Sequence, residues 1–499
     1  MNRLKEKLLV LRKNKIYWVL IALMITGFVL VFWNYPYRYY LDDETIRDAV
    51  VGIEGARELQ APLIGPFSSA GPFTFGPWYH YQLILFSVIV PIPYSPWVYL
   101  SLAYLASILI LYKIGDYLKD KLFGIILATL GTFSPALIIG GTHLTNPNLL
   151  TVFALLSVLL FLKLIKKDVS YWWSFVFGIV LGIAINIHYQ SLSLLILPLI
   201  LLFVKKKKFF YVLACAAGLA IAFVPMLFFD LTNHWFNFKN ITYYYLHGKD
   251  AIYVPNRWLF YVRDFWPSLW GDVIGVPSIV AFCMMAIFGL IALYEIYRKK
   301  MSKELLFLII AFAVIFVGLR YYWGERFFGY FNFTRPFILV FTGYTLYFIS
   351  KFKFGKFLVL GGLVLIVLFG IPANSSHVGR DAFTLDMNNR VKVLEEKYPN
   401  QKFRVYICSI EYQGHFAKYP KSILYLLEEK SKIGEKGVKI GFSGVCGDES
   451  DKRLTSVGST SILDLSGLSD KDIKENGWKT LSFRSIYDST AKWWFDERP

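Results

Sequence analysis

The chain has 499 residues, of which 56% are hydrophobic and 18% aromatic, with a mean hydropathy of +0.47 and a formal net charge of +18. A composition this apolar excludes a set of soluble domains and points to an α-helical polytopic membrane protein. The basic residues stand in short runs between long apolar stretches, which argues for topology signals and against nucleic-acid binding.

In chain order, eleven apolar segments are long enough for a helix across a hydrocarbon core of about 30 Å, once aromatic flanks are counted. They lie near 16–33, 98–112, 122–139, 149–162, 171–187, 191–204, 209–229, 273–294, 305–319, 336–350 and 357–372, and none holds Asp, Glu, Lys or Arg. The first follows Arg3, Lys5, Lys7, Arg12, Lys13 and Lys15 without a small-x-small cleavage site before Trp33, so it reads as a retained anchor. Basic loops alternate with poor ones. The N-terminus, Lys113/Lys119/Lys121, Lys163/Lys166/Lys167, Lys205 to Lys208, Arg298/Lys299/Lys300/Lys303 and Lys351/Lys353/Lys356 share one face, which the positive-inside rule makes cytoplasmic. The segment 79–94 would reverse every later loop if it spanned. It is short, broken by Pro91 and Pro93 and rich in Tyr, so it is placed as an interfacial helix along the outer surface.

Beyond Pro372 the composition turns polar, with helical periodicity in 383–398 and 415–430 and β-like runs at FRVYIC (403–408) and VKIGF (438–442). The expected organisation is a membrane part over 1–372 and a small extracytoplasmic α/β domain over 373–499, placed outside by the odd number of spans. Cys408 and Cys446 in this tail lack metal spacing, and a disulfide between them is open. Trp478, Trp493 and Trp494 fit burial in the tail's own core better than stacking on sugars.

The first outer loop runs from Asn34 to about Trp97 and holds Asp42, Asp43, Glu44, Asp48, Glu54 and Glu58 against Arg38, Arg47 and Arg57. In ETIRDAVVGIEGARELQ the apolar Ile46, Ala49, Val50, Ile53 and Ala56 recur at helical spacing, which predicts an amphipathic helix lying on the membrane. Asp42, Asp43 and Glu44 then occupy its N-terminal turn. Acids there cap a helix and complement its dipole, by a few tenths to about 1 kcal/mol each. Three in a row exceed that need; the sharper reading is one carboxylate as general base, with a neighbour orienting it or binding a metal.

The run LDDETIRDAVVGIEGARELQAPLIGP, followed by GPFTFGPWYHYQLIL, resembles the first outer loop of GT-C glycosyltransferases, specifically the bacterial protein O-mannosyltransferase and lipid A aminoarabinose transferase group. By position Asp43-Glu44 match the acidic pair that follows that group's first span, and Asp42 is an additional acid. GTHLTNPNLL (141–150) is similar to the group's third outer turn, and GIAINIHYQSLSLLIL (182–197) to its fifth-to-sixth span turn, with His188 at the apex. YFNFTRPFILVF (330–341) resembles an Arg-x-x-x-Pro element, although Pro336 directly follows Arg335 here.

The resemblance implies transfer of a sugar from a polyprenyl-phosphate carrier to an acceptor hydroxyl of a protein, lipid or glycan at the outer membrane face, with inversion and with the lipid phosphate leaving. Asp43 is then the base, with Asp42 or Glu44 orienting it or holding a divalent cation such as Mg or Mn. A metal site made from Asp43 and a histidine is also open, although no HExxH-like spacing supports it. Arg335, Arg326 and Arg320 are the candidates for the donor phosphate, with Arg257, Arg263 and Lys249 in reserve. His143, Asn146, His188, Tyr79 and His80 are the expected cavity residues. The aromatic loop 230–271 fits an interface belt and a sugar or polyprenyl cover equally. The main rival is a transporter or flippase, which usually needs ionisable residues inside its spans. A scaffold presenting the tail would need only one span.

Overall fold

The computed structural model describes residues 15–68, 71–166, 169–204, 208–247, 257–322, 326–375, 382–408, 418–442, 455–457 and 462–491. From the N-terminus come α1 (Lys15–Phe32), α2 (Asp43–Glu58), α3 (Trp78–Ile89), α4 (Ser95–Leu118), α5 (Lys121–Phe133), the short α6 (Pro135–Gly140), α7 (Asn146–Lys166), α8 (Tyr171–Ile187), α9 (Ile196–Val204) and α10 (Lys208–Thr232). After them stand α11 (Phe236–His247), α12 (Arg257–Phe260), α13 (Trp266–Ile274), α14 (Ser278–Tyr297), α15 (Lys303–Arg320), α16 (Arg335–Ile349) and α17 (Gly355–Ser375).

Every one of the eleven apolar segments is helical over most of its length, but three are broken. The segment 122–139 divides at Ser134, because Pro135 disfavours helical backbone before it; the Ser134 hydroxyl then caps α6 by accepting from the Leu137 amide. At 273–294, Gly275 in the left-handed region (φ 75°) ends α13, and Pro277 precedes α14. At 191–204 the chain winds as a 3-10 helix over Tyr189–Leu195 before α9; Pro198 lacks the amide that would bind the Leu194 carbonyl and so cannot extend an α-helix backwards. By length and hydropathy α4, α7, residues Phe209–Thr232 of α10, and α14 are each sufficient to cross a membrane, while α1, α5, α8, Tyr189–Val204 and Gly355–Leu368 are apolar but shorter.

The tightest helix pair is α8 against α10. A Cβ on Gly178 would stand 1.9 Å from the Cys215 carbonyl oxygen, and one on Gly218 2.1 Å from that of Phe175, so the two backbones touch only because both residues are glycine.

The helix α2 forms as its spacing predicts, but it does not lie with its apolar face on lipid. Ile46, Ala49 and Val50 are fully buried, and Gly52 and Gly55 pack on Leu83 and Ile84 of α3. Protein covers the face, because α3 folds back along it and the C-terminal region closes the other side; periodicity alone does not distinguish the two covers.

That C-terminal region contains α18 (Ala382–Lys397), β1 (Phe403–Cys408), α19 (Lys418–Glu429), β2 (Val438–Phe442), β3 (Thr455–Ser456), β4 (Ile462–Asp464), α20 (Asp470–Glu475), β5 (Trp478–Leu481) and α21 (Phe483–Ala491). The strands order as β3-β4-β2-β1-β5. Only β1 and β2 run parallel, with Phe403 opposite Val438, and α19 is the crossover such a pair requires. Trp478 is buried with Tyr406, Leu463, Leu465, Leu468 and Ile473. Trp493, Trp494 and Cys446 lie outside the described residues, and with them the disulfide reading.

The region is seated on the first outer loop. Tyr39 donates to Glu429 (2.7 Å), Thr384 to the Tyr39 carbonyl (3.0 Å) and Ser422 to the Leu41 carbonyl (3.3 Å). Tyr425, fully buried, bonds the Pro93 carbonyl and meets Trp97 edge-on at 5.2 Å. One continuous core runs from Leu100 and Ile108 of α4 to Ile423 and Leu427 of α19.

Candidate active site

The three acids of the opening turn of α2 are held differently. Asp42 is the N-cap: its Oδ1 accepts from the Thr45 amide (2.8 Å), and the Thr45 hydroxyl accepts from the Asp42 amide (2.9 Å), which makes a capping box. Its Oδ2 lies 3.1 Å from His143 Nε2. Both oxygens are therefore engaged. Burial pushes this carboxyl up, but the bonds and charge from His143 and the bonds from Thr45 outweigh it and leave it below the ordinary range.

Asp43 differs. Its Oδ1 meets the Lys421 ammonium at 2.5 Å, the side chain is 40% exposed, and among the described residues Lys421 is its one hydrogen-bonding partner. One carboxylate oxygen is tied, and among the described residues the other has no hydrogen-bond partner. Glu44 is exposed by surface area, yet the protein packed around it raises its carboxyl against the pull of Arg47, with Asp48 and Asp42 adding repulsion. Solvent access makes that rise modest.

Beneath the turn lies a buried charge network. Asp48 accepts from Arg47 Nε at 2.8 Å, and His80 Nε2 stands 3.8 Å away. Burial raises Asp48, but the Arg47 charge and His80 bring it below its usual value. Tyr79 is buried beside it, and burial followed by the Asp48 charge holds its hydroxyl protonated. Arg38, also buried, has three side-chain nitrogens without a hydrogen-bond partner among the described residues; burial lowers the guanidinium to about 10, although the Tyr104, Tyr35 and Tyr40 hydroxyls pull the other way.

The turn from Gly140 to Asn148 joins this loop to the rest of the outer surface. His143 stacks on Tyr40 at 4.6 Å, and its carbonyl accepts from Asn148 Nδ2 (2.8 Å). Asn332 reaches the Pro147 carbonyl (2.8 Å), and Asn146 reaches the Ile187 carbonyl (2.8 Å). Behind the turn Arg335, buried, donates to the Thr151 hydroxyl (3.0 Å) and lines a small cavity with Tyr104, Ser107, Asn148 and Thr151. The cavity has room for about one water.

The other arginines gather elsewhere. Arg326 lies over Tyr261 and Phe265 (5.5 and 5.9 Å), and Arg320 over Trp258 (5.0 Å). Burial, then repulsion from Arg257 and Arg320 against the pull of Tyr261, lowers Arg326. Among the described residues neither Arg320 nor Arg326 makes an ion pair with an acid, and Trp258, Leu259 and Val262 nearby are exposed. The segment 328–334 connects this cluster to the His143 turn: Phe331 packs on Phe265 (5.0 Å), while its neighbour Asn332 bonds Pro147. Arg335 is thus separated from Arg320 and Arg326. Arg263 pairs with Asp264, and Lys249 lies outside the described residues.

His188 is buried between Phe75 (4.8 Å) and Tyr330 (5.0 Å), and burial lowers it to about 3 despite Gln190, so it is neutral packing. Lys421 and the buried Arg38 were not legible as site residues; only a fold that returns 378 positions along the chain brings Lys421 to Asp43. Asp42, Asp43, Glu44 and His143 do not form a metal shell: among the described residues no three His, Cys, Asp or Glu side chains stand close enough to hold one ion.

Comparison with known proteins fits this architecture. Residues 95–229, less than half of the chain, match the family model described as dolichyl-phosphate-mannose-protein mannosyltransferase. The fold is that of ArnT from Cupriavidus metallidurans in the apo state, at 12% identity and a TM-score of 0.55 over 85% of this chain and 92% of that one. The same enzyme bound to undecaprenyl phosphate gives 12% identity and 0.53 over 90% and 98%. The Archaeoglobus fulgidus oligosaccharyltransferase, in complex with Zn and sulfate, gives 15% identity and 0.49 over 81% of this chain, which spans 61% of the length of that protein. No curated protein sequence matches. The class that the ArnT likeness defines is a helical protein of the GT-C glycosyltransferase fold, with helices long and apolar enough to cross a membrane. Within that class, the matched segment is that of the mannosyltransferase family model.

Proposed function

We propose that this chain is an inverting glycosyltransferase that moves a sugar from a polyprenyl-phosphate carrier to an acceptor hydroxyl at the outer membrane face. The observation that carries the reading is the division of labour in the opening turn of α2. Asp42 has both oxygens occupied by a cap and by His143, whereas the partly exposed Asp43 has one oxygen anchored and one without a hydrogen-bond partner among the described residues. A general base needs a fixed carboxylate with a free oxygen.

In the reaction the acceptor hydroxyl oxygen attacks the anomeric carbon and gives its proton to the free oxygen of Asp43. The bond from that carbon to the phosphate oxygen breaks, and the lipid phosphate leaves with the electron pair. Cations must meet that charge. Arg320 and Arg326 suit it better than Arg335, because they crowd without an acidic partner among the described residues and border exposed apolar side chains that suit a lipid chain. Arg335 is tied to Thr151 in a cavity too small for a phosphate, and there it braces the turn. ArnT, whose fold this chain shares, has been seen with undecaprenyl phosphate, which supports a donor of that chemistry.

The test is purified chain in lipid nanodiscs with a panel of radiolabelled polyprenyl-phosphate sugars, followed as sugar transfer and release of free polyprenyl phosphate. Turnover that disappears in Asp43→Asn supports the reading. Absence of turnover across the panel, with labelled substrate instead moving across a sealed vesicle, would favour the transporter reading.

A further inference from the structure

We propose that the C-terminal region completes the catalytic site through Lys421, a positioning residue for Asp43; the proposal rests on the reading of Asp43 as the base. Lys421 stands in the first turn of α19, its side chain is only 9% exposed, and its ammonium lies 2.5 Å from Asp43 Oδ1. An ion pair on an open surface holds neither partner still. Here the lysine stem is enclosed, and the helix that carries it is fixed over the turns that follow the contact. Ser422, the next residue, bonds the Leu41 carbonyl, two residues before Asp43. Further along α19, Tyr425 is bonded to Pro93 and packed on Trp97, and Glu429 accepts from Tyr39.

Ile423, Tyr425 and Leu427 are fully buried in the core that continues into α4, so α19 does not ride on a hinge like a lid. The consequence is geometric. A carboxylate on the first turn of a helix, 40% exposed and with no second partner among the described residues, would otherwise rotate among its staggered positions. The ammonium removes that freedom by holding Oδ1, and it leaves the other oxygen for the acceptor hydroxyl. Lys421 forms no bond to substrate and exchanges no proton in this account. The proton travels from the acceptor to Asp43 alone, and the phosphate takes the electron pair of the broken bond.

The experiment uses the full chain in nanodiscs with undecaprenyl-phosphate mannose as the donor probe and water as the attacking hydroxyl, and reads released undecaprenyl phosphate. Lys421→Met is expected to lower kcat about 100-fold, the scale of a misplaced catalytic group, with donor KM unchanged within about twofold. Lys421→Arg is expected to recover part of the loss, because it keeps the cation. In an Asp43→Asn background Lys421→Met is expected to cost nothing further. A raised KM with kcat retained would make Lys421 a phosphate ligand, and an unchanged or higher kcat would make it incidental or a latch; either overturns the proposal. An equal loss in the Asp43→Asn background would show that it supports only the fold. Equal turnover by wild type and Asp43→Asn sinks the base reading itself, a result separate from any of these.

Discussion

Asp42 offers a quantitative test of how the opening turn of α2 divides its tasks. Replacing it with alanine removes the acceptor for the Thr45 amide, a helix cap worth about 1 kcal/mol. It also removes the contact with His143, whose partners are each about a third exposed, 30% and 31%; solvent screening discounts that pair to a few tenths of a kcal/mol. Asparagine caps about as well as aspartate and loses only the charge. Asp42→Ala should therefore cost roughly 1.5 kcal/mol locally and Asp42→Asn roughly 0.5 kcal/mol. One to two kcal/mol shifts an opening equilibrium about 5- to 30-fold. Hydrogen exchange by mass spectrometry on peptides covering α2 in the full chain reads this directly. Amides of the first turn should exchange about tenfold faster in Asp42→Ala and within about threefold of wild type in Asp42→Asn. Equal exchange in all three proteins would show that burial of Ile46 and Ala49, and not the cap, sets the start of the helix.

Further outcomes follow from other contacts. The Asp42 carboxyl is held below its unfolded value, so its contribution is present above about pH 4 and is lost as pH falls through the folded value. Acid unfolding of Asp42→Asn, followed by intrinsic fluorescence, should lack that component. Arg326→Gln, which removes a charged phosphate contact, should weaken undecaprenyl phosphate binding by about 10- to 100-fold in a nanodisc binding assay, whereas Arg335→Lys should leave binding within about threefold and lower thermal stability. A Cβ on Gly76 would stand 1.6 Å from Asn186 Oδ1, in a place where the Gly76 amide already bonds the Asn186 carbonyl. Gly76→Ala should then cost about 1–3 kcal/mol through displacement of a buried amide, measured by thermal unfolding.

The helices were legible because apolar runs of near-membrane length have few other uses, and the start of α2 was legible from Asp42 and its spacing. The breaks at Ser134, Gly275 and Pro198 sit inside apolar runs, where hydropathy is blind to a single turn residue. The cover over α2 was misjudged because Ile46, Val50 and Ile53 would face lipid and protein with the same pattern. Among the acids, the family resemblance alone favours Asp43, and its distinction from Asp42 in the structure depends on partners 101 and 378 positions away, His143 and Lys421. No local pattern carries such contacts. Residue type alone does not rank the arginines; in the fold Arg335 is buried against Thr151, whereas Arg320 lies over Trp258 and Arg326 over Tyr261 and Phe265.

Whether chemistry occurs at the free oxygen of Asp43 is read by the rate of undecaprenyl phosphate release from a turned-over undecaprenyl-phosphate sugar by wild type, Asp43→Asn and Asp42→Asn side by side. General-base removal predicts a loss of about 10²- to 10⁴-fold in Asp43→Asn and a loss below about tenfold in Asp42→Asn. The reverse order, or full activity in Asp43→Asn, would contradict it.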